Sequence, residues 1–205
     1  MKNSAVLYEE YEGKMQRTGL FKVISEKYTI KKALYSGSYI HISPSFYISE
    51  VVYVDTDKKA IKFFKDDSYL KVITKNKTYS EDTIIRFHPL DYQHPIPEEP
   101  NSFDLLVSQY AGFVSQHSKK YLRDGGILIA NNSHGDAGVA NLDIDFRLIG
   151  VINYRNGKFT LSEKNLSLYF IPKKSSAIHT KQHLLSLNRG MGYKKTASHY
   201  LFKRS

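Results

Sequence analysis

Val51-Val52-Tyr53-Val54-Asp55 is the stretch on which the fold turns. Four consecutive β-branched or aromatic residues, with no polar residue alternating between them, suit a strand covered on both faces. Such strands belong to parallel sheets. The acid that ends the run, followed by Thr56 and Asp57, marks the strand's carboxyl end. Residues 58–64 then read as a helix with Ala60, Ile61 and Phe64 on one side, and Thr56 or Asp57 is a suitable N-cap because its side-chain oxygen can accept from first-turn amides.

The same pattern extends in both directions. Upstream, Ala33-Leu34-Tyr35 is a short apolar run followed by Ser36-Gly37-Ser38, and residues 4–28 look helical in patches, with Leu7, Tyr8, Tyr11 and Met15 at helical spacing. Downstream, strands are expected at 83–87, 103–107 and 126–130. A helix is expected over 113–122, stopped by Asp124-Gly125-Gly126. Residues 88–101 carry Pro89, Pro95, Pro97 and Pro100 and must run as an extended loop. Strands at 146–154 and 166–171 flank Arg155-Asn156-Gly157, which has hairpin chemistry, and residues 198–202 can add a further strand. Alternating strands and helices predict an α/β fold: a mostly parallel, seven-stranded sheet with helices on both faces and an antiparallel C-terminal hairpin strand. The expected organisation is a helical extension at 1–29, the sheet domain at 30–172 and a basic segment at 173–205 packing on the same domain.

Composition bounds the function. The 205 residues are 41% hydrophobic and 24% charged, which supports a packed core. With no cysteine there is no thiolate metal site and no disulfide. No apolar run approaches the length of a membrane span, and no apolar signal core follows the N-terminus, so a cytoplasmic protein without membrane partners is expected. The net charge of +10 is uneven: nine Lys and Arg residues and no acid follow Glu163, leaving +1 for residues 1–163. A basic end of this kind is either a solvated surface or a face for nucleic acid. The neighbours Tyr193-Lys194-Lys195 and Tyr200 near Lys203-Arg204 would allow base stacking beside phosphate contacts.

A strand, a glycine turn, a helix and a strand ending in Asp55, then Phe103-Asp104-Leu105-Leu106-Val107 and the Tyr121-Leu122-Arg123-Asp124-Gly125-Gly126-Ile127-Leu128-Ile129 junction, together resemble the class I S-adenosylmethionine-dependent methyltransferases, a Rossmann-like family. The terminal strand hairpin is similar to the family's reversed seventh strand. The resemblance covers residues 30–171. It implies methyl transfer from S-adenosyl-L-methionine to an acceptor it does not name, a small molecule or a nucleic acid. It also implies cofactor contacts from Tyr35, Gly37, Ser38, Asp55, Thr56, Asp91, Tyr92 and Ser108, with Asp55 on the ribose hydroxyls and Asp91 near the adenine amino group, between Leu90 and Tyr92. Independently of the family, a carboxylate 18 residues after a glycine turn suits a ribose ligand at a strand end.

Catalytic candidates follow the fourth and fifth strands. Gln109 can hydrogen-bond an acceptor and Tyr110 can stack on one. Asn131 and His134 lie in a polar loop on the same sheet edge, where His134 suits a general base. His134 and Asp136 alone do not make a metal site, and none is expected. The turn Ser36-Gly37-Ser38-Tyr39 supplies one glycine where the family carries several. This leaves open a catalytically silent protein of the same fold that docks nucleic acid or a protein through its basic end. A doubly wound oxidoreductase is disfavoured by the missing G-x-G-x-x-G fingerprint.

Overall fold

The computed structural model describes residues 2–15, 17–187 and 189–205. In chain order the elements are α1 (Ser4–Met15), α2 (Thr18–Lys27), β1 (Lys32–Ser36), β2 (Glu50–Val54), α3 (Lys58–Phe64), α4 (Ser68–Asn76), β3 (Ile84–His88), β4 (Phe103–Ser108), α5 (Val114–His117), β5 (Leu122–Ala130), α6 (Asp136–Asn141), β6 (Phe146–Arg155), β7 (Lys158–Ser162), α7 (Lys181–Leu187) and β8 (His199–Arg204). Among the described residues, eight strands form one sheet in the order β3-β2-β1-β4-β5-β8-β6-β7. The first five are parallel neighbours; β8 runs antiparallel to both β5 and β6, and β7 antiparallel to β6.

The all-apolar strands are two-faced, as their composition requires. Tyr35, Val51, Tyr53, Leu105 and Ile129 point into one core layer, against Tyr8, Leu20, Phe21 and Ile24 of α1 and α2 and Phe63, Tyr69 and Ile73 of α3 and α4. Leu34, Val52, Val54, Leu106 and Leu128 point into the other, against Val114, Ala137, Tyr169, Phe170 and Tyr193. Asp57, rather than Thr56, caps α3: its Oδ1 accepts from the Lys59 amide at 2.7 Å and the Ala60 amide at 3.3 Å. Asp57→Ala is expected to cost about 1 kcal/mol in a urea titration, with no change in the denaturant slope.

Five expectations need correction. The sheet has eight strands, not seven, because the Arg155-Asn156-Gly157 turn (Asn156 φ 49°, Gly157 φ 76°) sends the chain straight back as the edge strand β7. Residues 166–171 are not a strand. They form a short 3-10 turn at Leu166–Leu168, and positive φ at Asn165 and Phe170 breaks any extended run. The reversed strand is β8, which slots between β5 and β6.

The helix expected over 113–122 shrinks to α5 and a 3-10 turn at Lys119–Tyr121. The Gly125-Gly126 pair does not end a helix but lies inside β5, beside the irregular register between Phe103 and Leu105. There Arg123 Nε donates to Asp104 Oδ1 at 2.6 Å and holds the bend. No α-helix follows the glycine turn either. Between β1 and β2 there is only a 3-10 turn, Ser43–Phe46, with Pro44 at its start. The helices α1 and α2 cover that face instead, Tyr8 against Phe46 and Phe21 against His41.

The basic end is also less open than the sequence suggests. Tyr193 and Tyr200 are buried in the core, packed on Phe170, so neither ring is free to stack on a base. Arg204 donates to the backbone oxygens of Lys119 and Leu122, and Lys181 pairs with Asp143 at 2.7 Å. No helix among the described residues is long and apolar enough to cross a membrane.

Candidate functional site

The strand order reverses between β1 and β4, since β2 and β3 lie on one side of that pair and β5 on the other. In an open α/β sheet, ligands collect outside the carboxyl ends of the strands at such a switch point. The chain leaves β1 through Gly37 and β4 through Ala111, and the two meet there. A Cβ built on Gly37 would stand 2.1 Å from the Ala111 Cβ, and the φ of +69° at Gly37 is in the left-handed region. Glycine at 37 therefore serves a close approach between two loops. Its amide donates to Val54 O at 2.8 Å, and the Ser38 amide does so at 3.3 Å.

Tyr39, at φ 49°, closes the turn, and its amide donates to Asp55 Oδ2 at 2.6 Å. The other carboxylate oxygen accepts from the Asp57 amide at 2.7 Å. Asp55 thus ties the β1 turn to the end of β2, and each oxygen retains accepting capacity. A cleft of about 360 Å³ opens in front of it, lined by Gly37, Tyr39, Asp55, Thr56 and the Leu90–Gln93 turn, with Tyr110 and Ala111 opposite. Asp91 Oδ1 accepts the Gln93 amide at 2.9 Å and stiffens that turn. The Tyr92 hydroxyl donates to Ala111 O, which ties the β3 and β4 loops together. Burial, then the charges of Asp136 and Asp91, pushes the Tyr92 hydroxyl up to about 12, so it remains a donor.

A second, smaller pocket of about 190 Å³ shares Gly37, Tyr39 and Tyr110 with the cleft and adds Tyr11, Arg17, Tyr35, Ser38 and Gln109. Tyr35 forms its floor, and its hydroxyl bonds His41 Nδ1 at 3.0 Å. Burial holds His41 well below the ordinary imidazole range, and the Arg17 charge adds to this. Gln109 is 2% exposed.

Most of the expected residues therefore converge: Tyr35, Gly37, Ser38, Asp55, Thr56, Asp91, Tyr92, Gln109 and Tyr110 line one or other of these adjoining spaces. Ser108, Asn131 and His134 line neither. The Ser108 hydroxyl donates to Asp136, a fully buried carboxylate that also accepts from the Ser115 amide at 3.0 Å and the Ser115 hydroxyl. Asn131 Oδ1 accepts from Ser133, and the loop after β5 is covered by the tail, with the Gly190 amide on Ser133 O at 3.2 Å. Among the described residues no group of three or more His, Cys, Asp or Glu side chains could hold a metal. Tyr11, Arg17 and Tyr39 were not legible as site residues. Nothing in the spacing of residue 17 connects it to residues 109 and 110.

No family model matches the chain, and no curated protein matches it. Solved structures with a similar backbone include the YcgJ protein from Bacillus subtilis (16% identity, 60% of this chain and 56% of that one, TM-score 0.43). Two others are a methyltransferase from Geobacter sulfurreducens (13% identity, 74% and 85% covered, TM-score 0.49) and the N-methyltransferase NodS from Bradyrhizobium japonicum in complex with S-adenosyl-L-homocysteine (12% identity, 96% and 86% covered, TM-score 0.46). The chain spans 56% of the length of YcgJ. At these identities and TM-scores the likenesses assign neither an activity nor a ligand to this chain.

Proposed function

We propose that this protein is an S-adenosylmethionine-dependent methyltransferase of the class I type. The observation that carries the reading is the placement of Asp55 at the carboxyl end of β2, beside the switch point of a sheet whose last strand is reversed and inserted beside β5. A reversed strand late in the chain is what the family resemblance implies, although β8 rather than the expected hairpin supplies it. When bound, S-adenosylmethionine supplies an electrophilic methyl group on a sulfonium.

The residues present fit such a ligand. Asp55 has accepting capacity left on both oxygens for the ribose hydroxyls, and Leu90 and Tyr92 offer flanking surfaces for an adenine, with Asp91 beside them. Gln109, a buried amide with no partner for Nε2 or Oε1, is poised to bind a polar group of ligand or acceptor. Tyr110, 53% exposed, offers a ring at the mouth. Methyl transfer depends chiefly on in-line positioning, so the reading requires no dedicated general base.

Titration calorimetry with S-adenosylhomocysteine tests the reading. Wild type is expected to bind, and Asp55→Ala to bind about 30-fold more weakly through loss of two charge-assisted hydrogen bonds. The loss should shrink when the ribose hydroxyls are replaced by hydrogens in the ligand. No heat at millimolar concentration of either S-adenosylmethionine or its demethylated product would sink it.

A further inference from the structure

The hairpin of β6 and β7 carries a charge arrangement that costs stability where it stands. Arg155 and Lys158 face each other across its tip, and like charges directly opposite on neighbouring strands repel. Among the described residues neither has a carboxylate partner; Glu163, the last acid of the chain, pairs with Lys27 of α2 at 3.0 Å. A second pair of this kind, Arg147 and Lys203, stands at the opposite edge of the sheet. Acids flank it there: Asp124 lies 3.8 Å from Arg204, and the Asp145 carbonyl accepts from the Ser205 amide.

The tail adds to the same charge. Pro172 and Tyr193 form an antiparallel bridge, with the Lys173 amide on Gly192 O at 3.0 Å and the Lys194 amide on Ile171 O at 2.8 Å. Tyr193 is buried in this ladder, and Lys173 and Lys194 are exposed on its flanks. Lys195 lies over the Tyr169 ring, its Nζ 4.6 Å from the centroid. Lys195 and Arg155 line one cavity of about 430 Å³, whose remaining walls are Asn153, Thr160, Tyr169 and Thr196. Cations, hydroxyls and an amide around a concave space suit a phosphodiester, which takes charge and hydrogen bonds together. The cavity overhangs the ligand edge of the sheet. Val151 is level with Ser108 through Ala130 and Tyr200, and β6 runs on from there to Arg155, a further rise of about 13 Å. Two strands, β5 and β8, separate β6 from β4, a lateral distance of about 14 Å.

We propose that this surface docks the phosphate backbone of a nucleic acid, with Arg155 and Lys195 in the cavity and Lys158, Lys173 and Lys194 around it. An anionic membrane is flat and meets cations at its plane, whereas here the hydrogen-bonding walls are recessed. A chain of repeating phosphodiesters fills the recess and neutralises the rim at once. Docking depends on charge and hydrogen bonds to phosphate, not on a methyl donor, so it goes beyond the methyltransferase reading and stands or falls without it.

Fluorescence anisotropy with a labelled 20-nucleotide single strand, as RNA and as DNA, tests the proposal on the full chain without cofactor. Wild type is expected to bind in 50 mM salt, with affinity falling steeply as salt rises. Arg155→Gln, Lys158→Gln and Lys195→Gln combined should weaken binding at least 10-fold and reduce the log–log salt slope by about 2, since each phosphate contact on a single strand contributes roughly 0.7. Arg147→Gln with Lys203→Gln removes the charge pair of the opposite edge and should leave affinity and slope near wild type. Lys158→Glu guards against misfolding as an explanation: by relieving the like-charge pair it should raise the thermal midpoint while weakening the nucleic acid. The proposal is overturned if wild type binds neither strand at 100 µM protein, if the triple variant binds as wild type does, or if the opposite-edge variant loses as much. Equal competition by polyglutamate or by phosphatidylserine vesicles, at matched charge, assigns the surface to an acidic protein or a lipid and overturns it too. Absence of heat with S-adenosylmethionine and S-adenosylhomocysteine, with strand binding intact, removes the methyltransferase reading and leaves this one standing.

Discussion

Gly37→Ala is expected to destabilise the protein by about 3 kcal/mol, combining the left-handed backbone of a non-glycine residue with an overpacked contact. Both costs come from one place. The φ of +69° disfavours any Cβ, and the Cβ itself would stand 2.1 Å from that of Ala111. The two costs can be separated. Ala111→Gly in the same chain removes the overlap and leaves the backbone cost, so the double variant should recover about 2 kcal/mol, measured as a coupling energy in a urea double-mutant cycle. A single variant within about 0.5 kcal/mol of wild type would show that the β1 and β4 turns do not meet as described. The contact matters beyond stability, because Gly37 and Ala111 both line the cleft in front of Asp55.

The second large effect concerns Asp136. Burial pushes its carboxyl up to about 6, against the downward pull of the Ser108 hydroxyl and the Ser115 hydroxyl and amide. The folded state therefore favours the protonated acid more than the unfolded chain does. Its contribution to stability is full below the ordinary carboxylate value of 3.8 and is lost as pH rises to about 6. Two units correspond to on the order of 3 kcal/mol. Asp143 and Asp104 act in the opposite direction: their ion pairs hold the carboxyls low, and their contributions fade as pH falls. The difference between wild type and Asp136→Asn isolates the first effect. Urea midpoints from pH 4 to pH 8 should show the asparagine variant gaining on wild type as pH rises, and parallel profiles would refute the assignment. Asp136→Ala should lose about 3 kcal/mol near pH 4, because it leaves three buried donors from Ser108 and Ser115 without an acceptor, and its deficit against wild type should narrow as pH rises, in parallel with the asparagine variant.

Local chemistry made part of this molecule legible in advance. Residues 51–54 form a central strand because a run without polar alternation has to be covered on both faces, and Asp57 caps α3 because its oxygen reaches the amides two and three residues on. Asn156-Gly157 turns the chain back because both residues tolerate positive φ. The cleft residues from Asp55 to Tyr92 were legible for the same reason: they end strands, and the ends of parallel strands lie on one edge. The basic end was legible only as charge, since charge counts do not tell which rings are buried; Tyr193 and Tyr200 are core residues.

The sequence by itself marked the apolar strands, two candidate caps for α3, the hairpin turn and the acid that ends β2, because each of these signals lies within a few consecutive residues. Only the tertiary structure decided which of two late segments became the reversed strand. Both 166–171 and 199–204 are apolar enough, but the choice depends on a partner far along the chain, and β8 pairs with β5 and β6 on both sides. It also decided that α1 and α2, rather than a helix after the glycine turn, cover the sheet beside Tyr35, and so brought Arg17 over Tyr110. A lone arginine carries no periodicity and no motif. Its meaning comes from what packing sets around it, an exposed ring and a buried amide with no partner.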